Sequence, residues 1–130
     1  MSHIYKASFK IKDLAALEAA CNHLGTVEFT RNQTFSWYNG QSSPCEASVV
    51  VKNNKEAYQL GVTKEEDGTY ALNYDFFGNK GRALQTAVGN NCDKLKQEYT
   101  VQVAMKDRRK QGYQVTRKVN ANGSVLLIAQ

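Results

Sequence analysis

The N-terminal segment alternates between polar and apolar residues. Between His3 and Ile11, the side chains of Tyr5, Ala7, Phe9 and Ile11 fall on one side at a period of two. This alternation is typical of a strand with one buried face. The pattern therefore predicts that the chain begins with a strand over this segment.

A helix is predicted directly after this strand. The apolar positions that define it are Leu14, Leu17, Cys21 and Leu24. They recur at intervals of three and four residues, which is the spacing of one helical face. Asp13 can accept hydrogen bonds from the free amides of the first turn, and Gly25 can supply a left-handed turn at the end.

Short β-rich stretches follow between Thr26 and Phe76. The clearest are Ala47–Val51, Tyr58–Val62 and Tyr70–Phe76. Asp67 and Gly68 predict a hairpin turn between the last two, because both residues tolerate positive φ. Asn39–Pro44 is predicted to be a longer loop because it is rich in turn-forming residues.

A second helical pattern begins after Gly81. Its apolar residues are Leu84, Val88, Cys92, Leu95, Tyr99 and Val103. Gly89–Asn91 are poor helix formers at its centre, and Tyr99–Met105 also alternates as a strand would. We predict a helix that bends near Gly89 and ends in the cationic turn Lys106–Lys110, followed by Gly112.

Two final strands are predicted over Tyr113–Val119 and Ser124–Ala129. The Asn122–Gly123 pair supplies the turn between them. The resulting order, β-α-β-β-β-β-α-β-β, predicts an α+β fold in which two principal helices pack on one face of a mainly antiparallel sheet. Nothing in the sequence reads as a linker, so residues 1–130 are predicted to form a single domain.

Composition limits the class of protein more than it changes the fold. The 130 residues carry a formal charge of +5, a modest excess that favours an acidic partner without identifying one. The first residues lack the apolar core of a signal peptide. The longest apolar run, Val125–Ala129, is far too short to span a membrane. We therefore expect a cytoplasmic protein without a membrane partner, in which Cys21, Cys45 and Cys92 remain reduced.

Several segments resemble one protein family. They are Met1–His3, Lys12–Leu17, Tyr38–Gln41, Tyr58–Val62, Asp75–Phe77, Gln111–Val115 and Asn122–Val125. Together they extend over nearly the whole chain and are similar to a conserved plastid reading-frame family, a domain of unknown function. That family is encoded in algal plastid genomes, in cyanobacteria and in bacteriophages. Its genes often lie near those of an AAA-type ATPase, so the resemblance implies an accessory or adaptor role.

Two candidate sites are based on charge. Gly78, Lys80, Gly81 and Arg82 combine the free amides of a helix start with two cations, which makes them a candidate anion site. The segment lacks the Gly-Lys-Ser/Thr ending of a phosphate-binding loop. The second site is a basic patch suited to nucleic acid. It contains Lys106, Arg108, Arg109, Lys110, Arg117 and Lys118.

A third candidate site is aromatic. If the helices cover one face of the sheet, the other face remains available for a protein partner. The residues predicted to line it are Trp37, Tyr38, Tyr58 and Tyr74. Side chains of this kind also fill cores and subunit interfaces, so their spacing alone does not decide their role.

No metal site or catalytic centre is predicted. His3, His23 and the three cysteines show no spacing typical of metal ligands. Glu65–Asp67 is interpreted as a solvated hairpin tip, and Asp75 as a carboxylate without a catalytic mate. We therefore expect no cofactor and no enzymatic activity.

These observations favour a small non-enzymatic binding or adaptor protein. It would dock on a protein partner, for example an AAA-type ATPase, or self-associate. The first alternative is a nucleic-acid-binding protein that uses the basic patch. The second is a protein that binds a small anionic ligand, such as a nucleotide, at Gly78–Arg82.

Overall fold

The computed structural model describes residues 4–130. His3, at the start of the first predicted strand, lies outside this range. The helices are α1 (Leu14–Leu24), α2 (Gly78–Val88) and α3 (Asp93–Lys110). The strands are β1 (Tyr5–Lys6), β2 (Val27–Thr30), β3 (Thr34–Trp37), β4 (Gln41–Pro44), β5 (Ala47–Val51), β6 (Leu60–Lys64), β7 (Tyr70–Tyr74), β8 (Val115–Val119) and β9 (Val125–Ala129).

Five of these strands form the central sheet. Its order is β1-β7-β6-β5-β2, and all neighbouring strands are antiparallel. Strands β3 and β4 pair with each other, as do β8 and β9. The predicted α+β class and its mainly antiparallel sheet are confirmed.

The first strand is shorter than the alternation predicts. The amide of Ala7 donates to the carbonyl of Leu72 at 2.8 Å, and Ile11 forms the next bridge, with Tyr70. Residues 8–10 lie between Ala7 and Ile11, whereas Ala71 alone separates Leu72 from Tyr70. The extra residues form a bulge that interrupts the strand.

Helix α1 begins and ends where its sequence signals predict. The carboxylate of Asp13 accepts a hydrogen bond from the amide of Ala16 at 3.1 Å. Gly25 adopts the left-handed conformation, with φ of 73°. Leu17 and Cys21 of the predicted apolar stripe are fully buried.

The second helical segment is broken rather than bent. Helix α2 ends at Val88, and Gly89 has a φ of 90°. Asn91 and Cys92 then also take positive φ values before α3 begins. The segment Tyr99–Met105 is helical, as predicted, but Val103 of the predicted stripe is 37% exposed.

All three helices contribute to one core on one face of the sheet. The residues with no exposed surface there include Leu17, Leu84, Leu95, Val49, Leu60, Val62 and Leu72. They come from α1, α2, α3 and the helix-facing positions of β5, β6 and β7. This confirms the prediction that the helices cover one sheet face.

The other sheet face carries the β3–β4 hairpin. Phe35 of β3 is 2% exposed and packs on Gly61 of β6, where a Cβ atom would overlap the Phe35 ring. Strand β4 lies where the sequence predicts the loop Asn39–Pro44, so that prediction is wrong for residues 41–44. The polar residues of β4 have weak strand propensity, so the sequence gives little sign of this strand. They form a strand because they pair with β3. Strands β2 to β7 thus all lie between α1 and α2 in the chain.

Candidate functional site

The C-terminal hairpin stands apart from the central sheet. Strands β8 and β9 pair only with each other, with Val115 opposite Ala129 and Arg117 opposite Leu127. Gly123, with φ of 86°, lies in the turn predicted from the Asn-Gly pair. A two-stranded hairpin alone is marginally stable in water, so its attachment to the rest of the fold matters.

One face of the hairpin packs on α3. Val101 and Met105 of α3 are each 8% exposed but lie outside the main core. Half-buried Val125 and Leu127 lie on the inner face of β9, and α3 contacts both strands. These apolar residues give the hairpin a small core of its own with α3.

A buried ion pair fixes the hairpin to the same helix. The Glu98 side chain on α3 is buried, and its carboxylate receives two hydrogen bonds from the Arg117 guanidinium, at 2.7 and 2.8 Å. Gln102 donates a further bond at 2.9 Å, and the Nε2 atom of His23 on α1 lies 3.8 Å away. Glu98 therefore connects α1, α3 and β8.

The hydrogen bonds and charges around Glu98 together outweigh the effect of its burial on its pKa. Burial on its own would raise the pKa of this carboxyl, but the hydrogen bonds from Arg117 and Gln102 and the charges of Arg117 and His23 outweigh it, so the pKa is lowered. The same contact raises the pKa of Arg117. Glu98 is thus held in its charged form.

The outer face of the hairpin exposes apolar side chains. Leu126 is 50% exposed and Ile128 is 39% exposed. They lie opposite Lys118 and Thr116 of β8, respectively. Exposed apolar residues grouped on one small element are typical of an interaction surface.

The outer edge of β9 has unpaired backbone groups. Gln114 and Gln130 exchange both backbone hydrogen bonds, at 2.9 and 3.0 Å. In an antiparallel pair such residues alternate with residues whose N–H and C=O groups point outward. On β9 the outward residues are Val125, Leu127 and Ala129. Within residues 4–130, these outward groups have no hydrogen-bond partner.

The predicted basic patch divides into paired and unpaired residues. Arg117 is bound to Glu98, and Lys106 forms an ion pair with Asp13 at 2.7 Å. The remaining members are exposed: Arg108, Arg109, Lys110 and Lys118. Arg109 and Lys110 also line a shallow groove of about 470 Å³ between α1 and α3. Ion pairing therefore removes two of the six cations from the free patch.

The predicted anion site is packed closely against a strand end. Gly81 is buried, and a Cβ atom there would overlap the backbone of Phe76. The buried carboxylate of Asp75 accepts from the amide of Phe77 at 2.9 Å, beside the start of α2. Close packing thus accounts for Gly81, and a carboxylate at this helix start opposes a bound anion. Lys80 is exposed.

The four candidate aromatic residues do not line one open sheet face. Tyr58 and Tyr74 belong to the main core, at 9% exposure each. Tyr38 is half-buried and packs edge to face on Phe77, with ring centroids 5.5 Å apart. Trp37 is half-buried, and its indole N–H donates to Ser43 at 3.0 Å within the β3–β4 hairpin.

Two of the three cysteine side chains, Cys21 and Cys92, are buried. The three cysteines are unpaired, and burial raises the pKa of Cys21 and Cys92 to about 12. Burial also raises the pKa of Cys45. At neutral pH these residues are thiols, which are poor nucleophiles. In the part of the chain that the structure describes, no three His, Cys, Asp or Glu side chains are grouped to hold a metal ion.

These features define a small α+β protein with a peripheral, partly apolar β-hairpin. The chain belongs to the family described as "Protein of unknown function (DUF1257)", which matches residues 20–128 and so includes nearly all of the hairpin. No curated protein and no solved structure matches the chain. None of the helices within residues 4–130 is long and apolar enough to cross a membrane.

Sequence reasoning missed the residues of this hairpin surface. Leu126 and Ile128 belong to the longest apolar run of the chain, which was considered only for its length. The absence of charge and proline from Val125–Ala129 was the available signal, because edge strands usually carry such residues. Glu98 gave no signal, since its partner Arg117 is distant in sequence and lies on a different element.

Proposed function

We propose that the chain is a non-enzymatic protein-docking module and that it binds by adding a strand to the β9 edge. The observation that carries this proposal is the row of outward N–H and C=O groups at Val125, Leu127 and Ala129, which have no partner within residues 4–130. An extended segment can complete such a row with backbone hydrogen bonds.

The outer face supports the same mode of binding. Leu126 and Ile128 alternate with the outward residues and are exposed, so an added strand would have apolar neighbours. Backbone pairing supplies affinity in strand addition, and alternating side chains supply specificity. The ion pair between Glu98 and Arg117 holds β8 on α3, and β9 is paired with β8.

A pair of proline variants tests this function. Ala129→Pro removes an outward N–H of β9 but no hydrogen bond to β8, and Val119→Pro makes the same change on the β8 edge. Both variants and the wild-type chain are used as bait in cells of the source organism. Proteins that bind wild type and Val119→Pro but not Ala129→Pro are expected. A set of captured proteins that is the same for all three baits would contradict the proposal.

The nature of the partner is a further part of the proposal. The family resemblance implies gene neighbourhoods with an AAA-type ATPase, so such an ATPase is one partner to examine among the captured proteins. Docking through β9 would leave the α1–α3 groove and its cations free. An ATPase that binds equally well to Ala129→Pro would dock elsewhere on the chain.

Nucleic acid is a second candidate partner. Arg108, Arg109 and Lys110 are consecutive and exposed at the end of α3. Phosphate binding through them would weaken steeply with salt. A titration of single-stranded RNA and of duplex DNA at increasing salt, with wild type and Arg109→Ser/Lys110→Ser, tests this candidate. Equal binding by wild type and the double variant would show that Arg109 and Lys110 do not contact the nucleic acid.

A further inference from the structure

We infer that the strand added at the β9 edge comes from a second copy of the chain. This inference rests on the proposed docking function. The two β9 strands would pair antiparallel about a two-fold axis at Leu127. The result is a continuous four-stranded sheet in the order β8-β9-β9-β8.

The backbone pattern of β9 suits pairing with itself. Leu127 lies midway between Val125 and Ala129, and all three direct N–H and C=O groups outward. About an axis at Leu127, the two Leu127 residues exchange hydrogen bonds with each other. Val125 of each copy does so with Ala129 of the other. Every outward group of both strands then has a partner.

The side chains of β9 also suit this register. Val125–Ala129 contains no charge and no proline, so pairing brings no like charges together. In this register Leu126 of one copy lies beside Ile128 of the other on the outer face. These exposed side chains would form apolar cross-strand pairs, which stabilise antiparallel sheets.

Charge disfavours the other edge of the hairpin. A two-fold pairing of β8 with itself about Arg117 places the exposed Lys118 of the two copies diagonally across from each other on the outer face. Pairing of β8 with β9 is head-to-tail, so it generates open chains of molecules rather than a closed dimer. The β9 pairing closes and leaves the cationic β8 strands at both outer edges, where charge opposes further growth.

Sedimentation of two lysine variants tests which strand pairs. Ile128→Lys and Thr116→Lys place the same charge at facing positions on the same outer surface of the hairpin. Only Ile128 lies on β9. For wild type and Thr116→Lys, sedimentation is expected to give a mass twice that of the 14.5 kDa chain. The dissociation constant of the Ile128→Lys dimer is expected to be at least roughly tenfold higher than that of the wild-type dimer. Circular dichroism confirms that each variant is folded.

Cysteine crosslinking tests the register directly. Non-hydrogen-bonded antiparallel pairs have Cα atoms about 4.5 Å apart, which permits a disulfide. In a Cys45→Ser background, an equal mixture of Leu126→Cys and Ile128→Cys is oxidised mildly. We expect crosslinked heterodimers in the mixture and little crosslinking of either variant alone, because identical positions lie diagonally apart.

The outcomes separate this inference from the proposed function. A wild-type chain that sediments as a monomer, or equal weakening by both lysine variants, would overturn the β9 dimer. In that case, a protein captured by the Val119→Pro bait but not by the Ala129→Pro bait would still support the docking function, with a different protein as the partner. If neither difference is found, both proposals fail.

Discussion

Glu98 and Arg117 form an ion pair with two hydrogen bonds between α3 and the C-terminal hairpin, at 2.7 and 2.8 Å. The side chain of Glu98 is almost fully buried, and that of Arg117 is 19% exposed. A carboxylate in this position is stable only while its charge has a partner, because the desolvation of an isolated charge is costly. The hairpin therefore depends on this pair for its position on α3.

Removal of Arg117 alone should destabilise the protein. We expect Arg117→Met to lower the free energy of unfolding by about 3 kcal/mol, because Glu98 remains buried without its cation. The matched control is Glu98→Met/Arg117→Met, which leaves no buried charge and should recover most of this loss. Urea unfolding measures both variants. A double variant no more stable than Arg117→Met would contradict the role of the unpaired charge.

The same pair predicts an acid sensitivity with a definite sign. The pKa of Glu98 is lowered in the folded state, so its interactions add stability above the unfolded-state pKa. That contribution is lost as the pH falls through the lower folded-state value. The unfolded-state pKa of a glutamate is about 4.3, so the loss begins near this pH.

Comparison with Glu98→Gln isolates this contribution. The glutamine variant cannot ionise, so its deficit in unfolding free energy relative to wild type should be largest near neutral pH. The deficit should shrink steadily below about pH 4.3. Urea unfolding at a series of pH values measures it. A constant deficit across this range would show that the charge of Glu98 does not contribute.

The features that could be predicted from the sequence are those with local physical causes. Asp13 and Gly25 mark the ends of α1 because a cap and a left-handed turn act within a few residues. The β4 strand has no such signal, since its polar residues become a strand only by pairing with β3. Likewise, Tyr74 alternates as a surface residue might, and only the packing of the helices places it in the core.

The candidate site depends on contacts that sequence spacing does not contain. Glu98 and Arg117 lie on different elements, and their contact requires the hairpin to fold back on α3. The same contact removes Arg117 from the predicted basic patch. The position of a basic segment can thus be read from the sequence, whereas the number of its cations that are not in ion pairs depends on tertiary structure.

The contact between Phe35 and Gly61 predicts that substitutions at these two positions affect stability in a non-additive way. A Cβ atom at position 61 would overlap the Phe35 ring, so Gly61→Ala should displace the β3–β4 hairpin. We expect a cost of about 2 kcal/mol, as is typical of overpacking. Phe35→Leu alone should also destabilise the protein, but the double variant should lose less than the sum of the two. Additive losses in urea unfolding would contradict this contact.

The conformation and contacts of Gly89, at the break between α2 and α3, predict that its substitution destabilises the protein. Its φ of 90° and ψ of 165° lie in a region that other residues adopt only at a cost of about 1–3 kcal/mol. A Cβ atom there would also overlap Asp93 and the backbone of Lys94, the first residues of α3. We expect Gly89→Ala to destabilise the protein by at least about 2 kcal/mol.

Gly112 supplies the matched control for this prediction. Its φ of 91° is nearly the same, but a Cβ atom there would have no neighbour within 4 Å. Gly112→Ala therefore has the strain of a positive φ without the steric overlap, and it should cost only about 1 kcal/mol. Because α3 carries Val101 and Met105 under the hairpin, Gly89→Ala should also increase amide hydrogen exchange in β9. Equal losses of stability for the two variants would show that the positive φ, and not contact with α3, accounts for the glycine at position 89.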